Sequence, residues 1–263
     1  MSVLAGQLLR NSVVKGPVAW GLAVALGLLP SIALVSVAQA SVLRASAVQA
    51  TVVKAGAVRD TQYWLADYGI EKAWSITRGA GVRIAFIDTG VDGSHPDLAG
   101  AVVAGADFSG LGSIDGQTPV GSVSRHGTMV ASLGAGRGHG VDGGVIGSAP
   151  EAGIVSVSVS FEGTTVSPDD QIARAVRFAV DKGAGVISLS LTRNTSEWPE
   201  SWDDAFRYAA EKDVVVIASA GNRGSGTMAV GAPATMPGVL AVGGVTREGV
   251  ASDAASSQGI TIA

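Results

Sequence analysis

Two residues of this chain have the types and settings that proton-transfer chemistry needs. Asp88 closes the run Val82-Arg83-Ile84-Ala85-Phe86-Ile87-Asp88-Thr89-Gly90, a β-branched and aromatic stretch that reads as a buried strand ending in a turn. His126 opens His126-Gly127-Thr128-Met129-Val130-Ala131, which reads as the start of a helix. A neutral imidazole can take a proton from a hydroxyl near neutral pH if a buried carboxylate fixes its tautomer and orientation. Each residue alone has a plainer explanation. Asp-Thr-Gly ends strands in many α/β proteins, and a histidine at a helix start is often just a satisfied ring. Together they fit a general base and its orienting acid. Asp-Thr-Gly also marks enzymes in which two carboxylates share one proton. Here the triplet occurs once, and in such an enzyme His126 would be idle. The chain has only three histidines; His95 lies in Ser94-His95-Pro96-Asp97-Leu98 and His139 in a glycine-rich loop.

The elements that must bring these residues together follow from periodicity. From Asp60 onward, short β-branched runs alternate with longer amphipathic ones, the pattern of a parallel sheet with crossover helices. The runs predict strands over 82–88, 101–106, 153–160, 185–191, 214–219 and 239–243. Helices are predicted over 70–77, 125–135, 168–182 and 201–212. Pro168 with Asp169 and Asp170 makes a good helix start, because proline suits the first turn and the acids complement the dipole. Strands apolar on both faces imply helices on both sides, and ligands in such sheets bind beyond the carboxyl ends of the strands. Asp88 sits at one such end. Asn222, in Ile217-Ala218-Ser219-Ala220-Gly221-Asn222, sits just beyond another. Such an asparagine is often only a turn residue, yet its amide is also a donor of the kind an oxyanion hole uses.

Composition narrows the classes. At 263 residues the chain can hold one large domain and a targeting segment, and 47% apolar content with 15% charged residues argues for a sizeable core. A net charge of −4 offers no basic footprint for nucleic acid. The absence of cysteine excludes disulfides, thiolate metal sites and a cysteine nucleophile. Residues 1–17 carry only Arg10 and Lys15, residues 18–37 are uncharged and almost continuously apolar, and Ala38-Gln39-Ala40 follows. Basic, apolar, then small is the layout of a secretory signal peptide, so residues 1–40 are expected to be one. The run is also about long enough to span a bilayer, and an uncleaved anchor is the rival. Either places the domain outside the cytoplasmic membrane, secreted or on the membrane's outer face. Residues 41–59 read as a linker or short pro-segment, and 60–263 as the folded domain.

The motifs taken in order resemble those of the subtilisin-like serine proteases, the subtilases. Ile87-Asp88-Thr89-Gly90-Val91-Asp92 with His95-Pro96-Asp97-Leu98 is similar to the family's aspartate motif. His126-Gly127-Thr128-Met129-Val130-Ala131 is similar to its histidine motif, with Met129 where many members carry a second histidine. Gly147-Ser148-Ala149-Pro150, Ser190-Leu191, Ser219-Ala220-Gly221-Asn222 and Pro233-Ala234 follow in the family's order. The resemblance implies a three-layer α/β sandwich with a mostly parallel central sheet and helices on both faces. It also implies peptide-bond hydrolysis through a Ser-His-Asp triad. Asp88 and His126 would be catalytic, Asn222 the oxyanion donor, and Ser190, Leu191 and Thr192 the strand that binds an extended polypeptide. Residues 163–167 would form the opposite wall of the cleft. The chemistry requires no cofactor. Asp97 matches a position that helps ligate calcium in several members, so a structural calcium is an open expectation.

The departures matter as much. The family's Gly-Thr-Ser-Met-Ala serine motif is missing. Ser225-Gly226-Thr227-Met228-Ala229 has similar letters in another order and lies too near Asn222, and Ser256-Ser257-Gln258-Gly259 resembles the segment that precedes the serine. The chain is therefore expected to stop before its nucleophile and, alone, to be inactive; losing the serine costs about 2 × 10⁶ in turnover in subtilisin itself. Thr192 stands where the family has glycine, which would reshape the adjoining pocket. The short segment before Asp60 resembles the mycosin-type actinobacterial members, which often carry a C-terminal membrane anchor. An exported peptide-binding module without hydrolysis is the alternative from another class.

Overall fold

β1 (Arg83–Asp88) runs through the middle of a six-stranded sheet, in parallel register with a neighbour on each side. The computed structural model describes residues 58–222 and 229–252. The proposed signal peptide, most of the linker, residues 225–228 of the look-alike motif and residues 256–259 lie outside the described residues. Besides β1 the sheet contains β2 (Val102–Asp107), β5 (Gly153–Ser158), β6 (Val186–Leu189), β7 (Val215–Ser219) and β8 (Val239–Val242). Their order is β2-β5-β1-β6-β7-β8 and every pairing is parallel. The chain moves to one side of β1 for β2 and β5, then crosses to the other for β6, β7 and β8. The order thus reverses at β1, and crevices in such sheets open at the strand ends beside the reversal.

Alternation along β1 sorts its side chains to two cores. Ala85 and Ile87 join one core with Ile172 and Val176 of α4 (Pro168–Asp181) and Trp202 and Phe206 of α5 (Glu200–Glu211). Phe86 joins the other with Ala131 and Ala135 of α3 (Arg125–Ala135). Helices therefore cover both faces, giving the three layers the sequence implied. Ile87, Ile172, Ile187 and Leu189 are all buried, and each contributes about 1.5–3 kcal/mol of apolar transfer. A Cβ on Gly134 of α3 would lie 2.5 Å from Phe86 Cζ, so that helix rides on the sheet at a separation only glycine permits.

All six predicted strands form; 185–191 loses three residues, 101–106 shifts by one to 102–107, and the others are trimmed by one or two. The predicted 70–77 helix forms only as α2 (Ile70–Ala73), after a single turn, α1 (Trp64–Asp67). It ends because the chain tightens. Ser75 N and Oγ both donate to Lys72 O, and Ile76 N donates to Ala73 O; a serine so engaged competes with helical bonding. The glycine-rich stretch after α3 holds a hairpin that periodicity did not show, β3 (Arg137–His139) with β4 (Gly143–Ile146). Among the described residues no helix is long and apolar enough to cross a membrane.

Two predicted strands stop early because their last residues turn away from the ladder. After β5, Ser160 is held by Gln171, fully buried in α4. Gln171 Oε1 accepts from Ser160 N at 2.8 Å, and Nε2 donates to Ser160 O at 3.0 Å and Val166 O at 2.9 Å. A single amide thus fixes the loop that follows β5. Replacing it by Gln171→Leu strands these backbone groups in the interior, each unmet group costing about 1–3 kcal/mol. The substitution should lower the unfolding free energy by about 3 kcal/mol, read as a shift of the urea midpoint at unchanged slope.

Candidate active site

His126 is the second residue of α3, and α3 begins against the end of β1. Its Nδ1–H donates to Asp88 Oδ1 at 2.8 Å and to Oδ2 at 2.9 Å. Asp88 is 5% exposed, whereas the imidazole is 45% exposed. The carboxylate is thus withdrawn from water while the ring still faces it. A carboxylate that accepts at Nδ1 leaves Nε2 as the acceptor, aimed away from Asp88.

The placement of this pair comes from the residue next to Asp88. Ser124, the cap residue of α3, makes no side-chain capping bond. Thr89 supplies it from another element: its Oγ1 donates to Ser124 O and accepts from Gly127 N, both at 2.9 Å. Thr89 N in turn donates to Asp88 Oδ1 at 2.7 Å. Further along, Asp92 N donates to Thr128 Oγ1 at 2.9 Å. The first turn of α3 is therefore tied to the end of β1 at three points. Gly127 makes this approach possible, since a Cβ there would sit 2.3 Å from Gly90 O. Thr128 is a buried tie. Thr89 was in the sequence motif but gave no sign of its capping role, because its partners lie 35 and 38 residues away.

A hollow of about 240 Å³ opens in front of the pair. Its floor is Asp88, Thr89 and His126, its walls residues 120–123 and 159–162, and Ser190 and Leu191 close a third side. The 163–167 segment expected as a wall does not line it; Ser160, Phe161 and Glu162 do. Leu191 also lines a second hollow of about 360 Å³ with Thr192, Phe161, Pro168, Ile172 and the ion pair of Arg193 with Asp169. Thr192 therefore borders that neighbouring hollow and not the one at His126. Ser219 Oγ donates to Leu191 O at 3.3 Å and Arg193 N to Ala232 O at 2.8 Å, which holds residues 190–193 out of the ladder. Asn222 lies on the exposed loop after β7 and is not among the residues lining the His126 hollow.

The other histidines meet a different buried acid. His139 Nδ1 donates to Asp97 Oδ1 at 2.5 Å, Val145 N donates to Oδ2 at 2.9 Å, and Asp97 N donates to His95 Nδ1 at 3.2 Å. Asp97, offered by the resemblance as a calcium ligand, has both carboxylate oxygens engaged by protein donors that tether the β3–β4 hairpin. A hard cation needs several free oxygens, and this donor set does not fit one. Among the described residues no group of three or more histidines or acids gathers where a metal could sit.

With the pair, its tether and the cleft in place, comparison with known proteins decides the family. The model of the subtilase family matches residues 79–262. The chain is a subtilase. It is similar to the thermophilic serine proteinase of Bacillus sp. (strain AK1), 38% identical over 194 residues, covering 72% of this chain and 46% of that protein. It is also similar to mycosin-4 of Mycobacterium tuberculosis (strain ATCC 25618 / H37Rv), 35% identical and covering 66% of this chain and 39% of the relative. The solved structure of MycP3 protease from the type VII (ESX-3) secretion system aligns with a TM-score of 0.56 at 32% identity, over 71% of this chain and 58% of the other. This subtilase thus spans about half or less of these two curated relatives. Its parallel sheet with helices on both faces is the family's α/β fold.

Two outcomes follow from the tether. Thr89→Val removes the cap of α3 and should cost about 1 kcal/mol in thermal unfolding, together with a weaker His126–Asp88 contact. His126 is held above the ordinary histidine pKa by its hydrogen bond with Asp88, opposed by partial burial and reinforced by the carboxylate's charge. A raised folded-state value stabilises the protein below the unfolded value, about 6.5, and that contribution is lost as pH rises through the folded value. Any step using His126 as a base runs the other way, gaining rate over the same rise. Asp88→Asn should move the NMR titration midpoint of His126 downward; an unchanged midpoint would separate the two groups.

Proposed function

We propose that this subtilase acts as an exported serine endopeptidase, hydrolysing peptide bonds through an acyl-enzyme. The observation that carries this reading is the buried Asp88 carboxylate bonded to the exposed His126 ring at the floor of an open cleft. His126 Nε2 takes the proton of a serine hydroxyl as its oxygen attacks the carbonyl carbon, then returns that proton to the leaving amine. Water, deprotonated by the same nitrogen, releases the acyl group. Asp88 holds the ring and stabilises the imidazolium. The serine lies outside the described residues. Asn222 donates its amide to the oxyanion, and the backbone of Ser190, Leu191 and Thr192 pairs with an extended polypeptide as an added strand. No cofactor enters these steps.

Residues 1–40 direct export, which puts the domain in the medium or on the outer face of the membrane. The likeness to a mycosin and to a protease from a type VII secretion system supports that location.

A fluorophosphonate probe on protein expressed from its full reading frame tests the chemistry. Wild type should label, and His126→Ala should label at least about 10⁴-fold more slowly. Asn222→Ala should lower peptide turnover about 10²–10³-fold. Tight binding of extended peptides with no labelling would instead identify a non-catalytic peptide-binding module.

A further inference from the structure

The cleft in front of His126 contains one carboxylate that hydrolysis leaves unused. Glu162 lies on the wall that follows β5, and Ser122 Oγ, from the opposite wall, donates to its Oε2 at 3.1 Å. Its backbone is braced by Ser160, whose Oγ accepts from Glu162 N at 3.2 Å and donates to Glu162 O at 2.8 Å. Ser160 is in turn pinned by buried Gln171. The acid therefore sits on fixed backbone. Among the described residues no lysine or arginine forms an ion pair with it, and the only other carboxylate of the cleft, Asp88, is committed to His126. The remaining lining is hydroxyl and apolar, and Phe161, next to Glu162, is 54% exposed.

An extended peptide laid in this cleft would strip water from Glu162. An acidic residue beside it would be repelled, and an aliphatic one would leave the carboxylate with little beyond the Ser122 donor. A lysine or arginine would restore the lost hydrogen bonds with charge-assisted ones while laying its methylene stem on Phe161. We propose that Glu162 is a specificity-determining residue, selecting polypeptides that carry a basic side chain at the position seated against Glu162. This rests on the cleft being the substrate site.

The test uses the full-length protein with His126→Ala to block turnover, and capped, fluorescently labelled alanine-rich peptides bearing arginine or citrulline at successive positions. In one register arginine should bind about five-fold tighter than its neutral isostere, with the advantage shrinking as salt rises. Glu162→Gln should erase that advantage, and Glu162→Lys should transfer it to a peptide with glutamate in the same register. Equal affinity for arginine and citrulline in every register, or an arginine advantage that survives Glu162→Gln, overturns the role of Glu162 and leaves the hydrolytic reading standing. Failure of every peptide to bind overturns the substrate cleft itself, and Glu162's role with it.

Discussion

The seating of the first turn of α3 on the end of β1 is the constraint from which the cleft follows. A histidine–carboxylate pair on a mobile surface contributes little, because solvent screens it and side-chain entropy opposes it. Here the carboxylate is buried and the strand that carries it is bonded on both edges, so Asp88 cannot follow a wandering partner. The helix must come to it. Thr89 brings it there by filling the capping role that Ser124 leaves open, and Gly127 allows the backbones to touch. The His126–Asp88 geometry and helix initiation thereby rest on one connected set of hydrogen bonds, and damage to one is damage to the other.

The walls obey a related logic. Where β5 and β6 leave the ladder, their backbones lose strand partners and must be satisfied otherwise. Gln171 does this for the Ser160 peptide, while Ser219 and Ala232 hold the 190–193 segment. These substitutes come from helix α4, the end of strand β7 and the loop at Ala232, so the cleft keeps its shape through contacts between separate elements.

Much of this was legible beforehand. β1 and β5 were readable because their apolar runs are buried on both faces, and α4 because its apolar stripe and its Pro168-Asp169-Asp170 start agree. Asp88 and His126 could be paired because a carboxylate at a strand end and a histidine at a helix start carry recognisable motifs. The β3–β4 hairpin was hidden by glycines that break the alternation, and only Asp97 reaching across to His139 and Val145 reveals why it forms. The wall at Ser160, Phe161 and Glu162 was displaced from the expected 163–167 because the turn after β5 is set by Gln171, a partner 11 residues away in sequence. Thr192 could be seen to differ from the family, but which hollow it borders depends on where the chain bends after Leu189.

The contact of Gly134 with Phe86 has an evolutionary corollary. The two positions divide a single volume between helix and sheet, so neither can drift freely. A methyl gained at 134 demands a smaller ring at 86, and a smaller residue at 86 leaves a gap that only growth at 134 can refill. Because α3 carries His126 at its other end, the height of that ring above the sheet depends on an apolar pair well removed from the cleft.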